Sequence, residues 1–261
     1  MQIVSLSLFK FDTMAGRAWV LPQMQFARGP LSRLPGAGFI KLMGTGPADG
    51  FHLAANFGVY AILATWPSLE AARTQVNTAR PFARFRARAS EHATVYAAAT
   101  RSVGEWDGAA PFDAWAAVDN TRPVGVLTRA TIKWRHLGAF WKDVPAVSRD
   151  IGGYPDVHFK LGMGEVPGVQ QVTFSVWENF EDVRRFAYAS GPHATAMRRA
   201  HDQAWFSEEL FARFVIVHQE GVWNDQPLLP EHVLGAARAR NRSAAEAGSP
   251  EPAFGAAQTA H

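Results

Sequence analysis

Histidine is the residue type whose spacing in this sequence comes nearest to that of a metal or cofactor site. His193, Met197 and His201 stand at positions i, i+4 and i+8, so a helix through them would carry all three on one face. On a regular helix the two histidines would lie about 12 Å apart. They could not both ligate one metal ion, but one could bind while the other hydrogen-bonds nearby. His193 also follows a helix break at Gly191 and Pro192, where a cap or surface role is an alternative.

Two predicted strands carry polar residues at alternate positions, which places each polar set on one side of its strand. The first set is Arg129, Thr131 and Lys133, and the second is Gln171, Thr173 and Ser175. Either set could line a space between the sheet and a helix. The cations of the first set could equally lie at a solvated edge or pair with carboxylates.

Several common site chemistries lack the residues that they need. The sequence contains no cysteine, which rules out disulfides, thiolate-ligated haem, cysteine-bound iron–sulfur clusters and a cysteine nucleophile. It also lacks the His-Glu-x-x-His pattern of zinc proteases, a Gly-x-Gly-x-x-Gly fingerprint after a strand and the Gly-x-Ser-x-Gly elbow of hydrolases. Zinc, dinucleotide and serine-hydrolase chemistry therefore have no support in the sequence.

The composition indicates a globular protein of 261 residues, 48% hydrophobic and 19% charged. The net charge is only +3, and no basic stretch is interleaved with stacking aromatics, so nucleic-acid binding is not expected. No apolar run reaches about 18 residues, the length that a spanning helix needs. The chain starts like a strand and has no signal-peptide pattern, so we expect a cytoplasmic protein with peripheral membrane contact as an option.

An internal repeat organises the chain, with corresponding segments about 111–123 residues apart. The clearest pairs are Thr65–Glu70 with Val176–Glu181 and Gly104–Asp107 with Gly221–Asn224. In the same alignment Phe82 corresponds to His193, so the second copy has an imidazole where the first has a plain aromatic ring. This difference makes His193 the candidate site residue of the second copy.

Each copy follows the order strand, helix, strand, strand, helix, strand. We predict these elements at 2–11, 13–34, 37–43, 58–66, 68–90 and 92–101, and again at 124–134, 138–151, 157–163, 169–177, 180–189 and 211–217. This is the ferredoxin-like βαββαβ pattern, whose sheet has helices on one face and needs a cover on the other. Two copies can cover each other, so we predict an α+β fold in which tandem duplicated ferredoxin-like units form a pseudo-symmetric dimeric α+β barrel.

The predicted organisation is an N-terminal repeat over 1–106, a linker over 107–122, a C-terminal repeat over 123–234 and a tail over 235–261. The tail has little to bury, so we expect it to be disordered. Two apolar segments, 19–28 and 50–58, could lie on a membrane surface, or be buried against the sheet or in a contact between copies of the chain.

Five longer motifs, all in the second copy, resemble those of the spheroidene monooxygenase family. They are Thr128–Lys133, Gly164–Pro167, Gln170–Trp177, Pro192–His193 and Trp205–Phe214, and the resemblance extends over residues 1–225. It implies haem b, which makes the C-terminal repeat over 123–234 haem-binding, with molecular oxygen as co-substrate and reduced ferredoxin as the electron donor. It also implies that a keto group is introduced at C-2 of an acyclic carotenoid, spheroidene to spheroidenone, by two hydroxylations and a dehydration.

The resemblance further implies roles for individual residues. The iron ligand would be His193, with His158 and His201 as alternatives. Haem contacts would come from Arg129, Lys133, Met197 and Arg213. The catalytic residues would be Arg129 and Thr173, while Arg213 could instead pair with Glu208 or Glu209. The polyene would contact Trp134, Trp141, Phe174 and Trp205, unless these aromatic rings simply fill the core.

Two further functions stay open at this point. One is a different haem enzyme on a similar fold, aldoxime-dehydratase-like or haem-degrading, with His193 still the ligand. The other is a cofactor-free binding protein of the dimeric α+β barrel type. The visible spectrum of the purified protein separates the haem enzymes from the cofactor-free protein.

Overall fold

In the computed structural model, eight antiparallel strands of the described chain close into one barrel with helices outside it. The structure describes residues 1–46, 56–152, 157–188 and 198–229, with the backbone alone for 146–152 and 187–188. The strands are β1 (Ile3–Lys10), β2 (Ile40–Thr45), β3 (Asn56–Trp66), β4 (Glu91–Gly104), β5 (Val124–Ile132), β6 (Val157–Gly164), β7 (Gln170–Trp177) and β8 (Phe206–Gly221). The helices are α1 (Met14–Phe26), α2 (Arg28–Ser32), α3 (Leu69–Thr78), α4 (Arg80–Arg86), α5 (Leu137–Gly152) and α6 (Phe180–Tyr188).

The predicted element order is confirmed, and the two halves of the chain have the same strand order. Around the barrel the strands run β1-β3-β2-β6-β7-β5-β8-β4. The first half therefore lies in the order β4-β1-β3-β2 and the second in the order β8-β5-β7-β6, so in both the fourth strand lies beside the first. The predicted helices 13–34 and 68–90 are each divided in two. The second division falls at Ala79, because Pro81 suits the first turn of a new helix, where its missing N–H is not needed.

The two halves meet along two seams of very different length. The long seam joins β4 to β8 through eleven residue pairs, from Ala93↔Gly221 to Gly104↔Leu210. Among the described residues, the short seam joins β2 to β6 through two pairs, Gly44↔Gly164 and Thr45↔Met163, and through a hydrogen bond of 3.4 Å from the amide of Gly46 to the carbonyl of Gly162. The barrel is therefore closed firmly on one side and only just closed on the other.

Alternating side chains fill the inside of the barrel with an apolar core. Leu6, Val95, Leu127, Phe174 and Phe214 belong to this interior cluster, and all are buried. A second core lies outside the first-half strands, beneath α1 to α4, and is rich in large aromatic rings. Among the described residues, no helix is long and apolar enough to span a membrane.

The repeated Gly-x-Trp segments form twin turns at the ends of β4 and β8. Trp106 and Trp223 each form an isolated bridge to a residue three positions later. The glycines that precede them have positive φ angles, 98° at Gly104 and 82° at Gly221. At both glycines, an added Cβ would overlap a carbonyl oxygen of the neighbouring strand. Glycine is therefore required at both positions by backbone conformation and by space.

Candidate functional site

The two faces of the second-half sheet differ in chemical character. Val172, Phe174 and Val176 of β7 point into the barrel core, as the alternation predicts. Thr173 therefore points to the other face, beneath α5 and α6. We call this outer surface the polar face and define it by Thr128, Lys160, Gln171, Thr173, Ser175 and Arg213. Phe174, a predicted substrate contact, lies in the packed interior on the opposite side of the sheet.

Hydroxyl groups form the centre of the polar face. Thr128 of β5 stands opposite Thr173 of β7, and their hydroxyl oxygens share a hydrogen bond of 2.5 Å. Ser175 accepts a hydrogen bond of 2.9 Å from Nε1 of Trp177. All three hydroxyl-bearing side chains are half-buried. Such a surface can hold a polar group or pass a proton, which an apolar sheet face cannot do.

The equivalent layer of the first half is a solid apolar core. Trp66, Phe82 and Phe85 lie there fully buried. In the second half, the described residues of this layer form a small cluster around Val144, in which the other members are only partly buried. The described parts of the two helix–sheet layers therefore differ in packing, while His193, which the sequence alignment pairs with Phe82, lies outside the described residues.

Arg213 brings a cation to the polar face. Its Nε donates a hydrogen bond of 3.1 Å to Oγ1 of Thr100, and its guanidinium lies 4.0 Å from the ring centre of Phe180. Burial, and secondarily the positive charge of Arg101, lowers the pKa of Arg213. Neither predicted carboxylate pairs with it in the described structure. A half-buried cation of this kind can bind an anionic group of a ligand.

Arg129 lies on the other side of the sheet and does not meet Thr173. It is 2% exposed and sits inside one end of the barrel, ion-paired to Glu208 and 3.5 Å from Asp107. Its guanidinium also lies 5.8 Å from the ring centre of Trp106. The structure thus bears out the alternative of pairing with carboxylates, and it separates the two residues predicted to act together in catalysis.

The residues that follow β5 contact the segment before β8 instead of the polar face. Lys133 donates a hydrogen bond of 2.8 Å from Nζ to the carbonyl of Ala204. Trp205 is buried and stacks on His136 at a centroid distance of 5.9 Å. Trp134 was predicted to continue the strand, but it lies in a turn and is 79% exposed. Its ring is therefore not packed against the sheet, and its contact with the substrate stays a prediction.

Of the candidate iron ligands, only His158 and His201 lie among the described residues. His193 and Met197 lie outside the described residues. His158 is half-buried, and its Nε2 lies 2.7 Å from a carboxylate oxygen of Glu178. His201 is exposed in the helical stretch 198–202. In the described part of the chain, no three His, Asp or Glu side chains converge as a metal-binding group.

A cleft of about 270 Å³ lies at the short seam, beside the polar face. Its walls come from α1, β2, β3, the start of α5 and the turn between β6 and β7. They include Leu21, Met24, Gly44, Phe57, Tyr60, Trp141, Met163, Pro167, Gln170 and Gln171. Trp141, a predicted substrate contact, donates a hydrogen bond of 2.8 Å to the carbonyl of Gly168 at this wall.

The entrance of the cleft is apolar. Leu21 is 45% exposed and Phe57 is 55% exposed, and both line it. They belong to the two segments predicted to touch a membrane, although residues 47–55 lie outside the described chain. The sequence analysis missed Gln170 as a site residue and missed the cleft altogether, because both depend on how closely β2 approaches β6.

Comparisons with known proteins complete these observations. No family model matches the chain. A spheroidene monooxygenase of Cereibacter sphaeroides is 41% identical over 261 residues, which is 100% of this chain and 78% of that protein. The spheroidene monooxygenase of Rhodobacter capsulatus is 38% identical over 90% of this chain and 98% of its own length. That of Rubrivivax gelatinosus is 30% identical over 80% of each.

Two solved structures share the fold. A crystal structure of aldoxime dehydratase superposes with a TM-score of 0.58 at 11% identity, covering 84% of each chain. An aldoxime dehydratase in complex with butyraldoxime gives a TM-score of 0.59 at 10% identity, covering 91% of this chain and 85% of that one. These likenesses concern the fold alone. The identity with the three relatives goes further: the chain belongs to the spheroidene monooxygenase family.

Proposed function

We propose that this protein is a haem-dependent monooxygenase that introduces a keto group at C-2 of an acyclic carotenoid, converting spheroidene to spheroidenone. The observation that carries the proposal is 41% identity over the full chain with a protein named for this substrate. An apolar cleft beside a polar sheet face supports it, because a hydrocarbon substrate and a polar reaction need both surfaces.

The proposed reaction inserts oxygen twice at one carbon. In each hydroxylation one atom of O2 enters a C–H bond. The other atom is reduced to water with two protons from solvent and two electrons, which reduced ferredoxin delivers one at a time. The second hydroxylation leaves two hydroxyl groups on the same carbon. This gem-diol loses water and becomes the ketone.

The residues of the polar face fit a haem group. Arg213 has no carboxylate partner in the described structure and can bind a propionate. The side chains of this face are small and polar, and the described residues do not cover it with an apolar core. In the first half, Phe82 and Phe85 fill the corresponding layer. When bound, haem supplies the activation of molecular oxygen. His193 remains our proposed ligand, because it stands in the second half where the first half has Phe82.

The hydroxyl pair of Thr128 and Thr173 is the proposed proton-handling group. Its 2.5 Å hydrogen bond holds both hydroxyls in a fixed orientation on the polar face. Two oxygens that each donate and accept can take a proton on one side and release one on the other. Thr173 therefore keeps its proposed catalytic role, while Arg129 becomes a structural cation of the barrel end.

We also propose that the two halves arose by duplication of one βαββαβ unit. The shared strand order and the twin Gly-x-Trp turns support this. The two halves now differ outside their sheets, where the first has a solid aromatic core and the second a polar layer.

The test is expression of the chain in cells that make spheroidene, followed by chromatography of the extracted pigments. We expect spheroidenone to accumulate, whereas unchanged pigment would contradict the proposed activity. The haem is tested separately in protein purified from haem-replete cells. We expect a Soret band that is lost in His193→Ala and retained in His201→Ala, the control at the exposed histidine. A wild-type spectrum without this band would contradict the haem.

A further inference from the structure

The cleft contains two buried amide atoms that no described residue satisfies. Oε1 of Gln170 and Nε2 of Gln171 are shielded from solvent and have no hydrogen-bond partner in the described part of the chain. Both residues line the cleft. Native proteins rarely leave such atoms unpaired, and a ligand, an ion or ordered water normally satisfies them. The cleft therefore offers one donor and one acceptor to whatever occupies it.

Gln171 lies where the cleft meets the polar face. It stands two positions before Thr173 and occupies the same face of β7. It also shares the cleft wall with Trp141. The surrounding wall is largely hydrocarbon and aromatic, so its NH2 group is a donor in apolar surroundings. Gln170 occupies the preceding position, and its side chain leaves the strand on the opposite side.

We propose that Gln171 determines the specificity of the cleft by donating a hydrogen bond to an oxygen atom carried on an otherwise apolar chain. Pockets that enclose a whole ligand usually have volumes of about 300–1,000 Å³. A cleft of about 270 Å³ takes one end of a longer molecule. The apolar walls bind the hydrocarbon, and the amide selects the end that bears oxygen. That this is the oxygenated end of a carotenoid rests on the proposed function.

The test compares two probes that differ by one oxygen atom. The first is geranylacetone, a short isoprenoid ketone, and the second is the hydrocarbon in which its carbonyl is replaced by a methylene. Both are titrated calorimetrically into the full-length protein. The measured quantity is the dissociation constant of the hydrocarbon divided by that of the ketone. This ratio isolates the contribution of the oxygen within one protein.

We expect Gln171→Met to lower this ratio about tenfold, since one buried neutral hydrogen bond has about that effect. Methionine keeps the length of the side chain and removes its donor. Gln170→Met is the matched control, because it removes a buried amide of the same cleft whose unpaired atom is an acceptor. A ketone has no proton to give that acceptor, so the ratio should not change.

The hydrocarbon serves as the internal check on folding. It should bind Gln171→Met at least as well as the wild type, because the substitution adds apolar surface. Gln171→Leu is the second variant and should show the same fall. An unchanged ratio in both Gln171 variants, or an equal fall in Gln170→Met, would overturn the proposal. The titration needs no haem, oxygen or reductant, so its outcome is independent of the pigment assay.

Discussion

Thr173 is the residue at which catalysis and stability can be separated most directly. Thr173→Val keeps the shape of the side chain and removes the hydroxyl that bonds Thr128. We expect a free energy of unfolding lower by about 1 kcal/mol. We also expect a marked loss of ketone formation, because a proposed proton-handling group is gone. Urea unfolding and the rate of spheroidenone formation measure the two effects.

Thr94→Val is the matched control in the first half. Oγ1 of Thr94 donates a buried hydrogen bond of 2.9 Å to Oγ of Ser7, so the substitution removes an equivalent interaction far from the polar face. We expect a similar loss of stability with ketone formation unchanged. If both variants lose activity in proportion to their stability, Thr173 has a structural role only.

Residue patterns predicted which side chains share a face of a strand. They did not predict which face points into the barrel and which lies outside it. Gln171, Thr173 and Ser175 do lie together, since strand alternation depends only on the local backbone. Arg129 was predicted to line the site, yet it points into the barrel. Its burial depends on Glu208 and Asp107, which are distant in sequence and reach it only through the closed fold. No local pattern carries that information.

At the scale of elements, Glu220 connects α3 of the first half to β8 of the second. Its carboxylate accepts hydrogen bonds from Arg73 at 2.5 Å, Asn77 at 2.9 Å and Tyr96 at 2.9 Å. Burial alone would raise the pKa of Glu220, but these three donors outweigh it and lower the pKa to about 2. The carboxylate therefore stabilises the fold in its ionised form.

This predicts a pH-dependent effect of Glu220→Gln. A depressed folded-state pKa contributes stability above the unfolded-state value of about 4.3 and loses it as the pH falls toward about 2. We expect wild type to be more stable than the variant at pH 7, with the difference shrinking between about pH 4.3 and pH 2. Urea unfolding across this range measures it. An equal difference at pH 7 and at the acid end would contradict the assignment.

The twin turns give a second prediction at this scale. Gly104→Ala should destabilise the barrel, because φ is 98° and the new Cβ would overlap the carbonyl oxygen of Glu209. The left-handed conformation alone costs about 1–2 kcal/mol, and the overlap adds to it. Gly108→Ala is the control in the same turn, since φ is 70° but no atom lies within 4 Å of the added Cβ. Thermal unfolding should rank wild type, Gly108→Ala and Gly104→Ala in falling order of stability, and equal losses would contradict the overlap.

For the whole molecule, the unequal seams predict unequal protection of the backbone. Amides that join β4 to β8 along the long seam should exchange with solvent slowly. Amides of β2 and β6 at the short seam should exchange faster, because only two residue pairs join these strands in the described structure. Amide exchange followed by NMR measures this. Equal protection along both seams would contradict the prediction.

The sequence predicted the two-part barrel but not the inequality of its seams. The repeated order of elements and the aligned Gly-x-Trp segments were enough to predict two similar halves that cover each other. The number of pairs between β2 and β6 depends on how the two halves tilt when they meet. Alternation along a single strand does not encode that tilt, so the cleft and the role of Gln170 in its wall could not be foreseen.

The short seam also makes the barrel mechanically anisotropic. Among the described residues, widening it there breaks the two residue pairs of β2 and β6 and the hydrogen bond from Gly46 to Gly162, at about 1 kcal/mol for each hydrogen bond. Widening it between β4 and β8 would break eleven pairs. The molecule is therefore compliant in one direction and stiff in the other, and the compliant direction is the one in which the cleft opens.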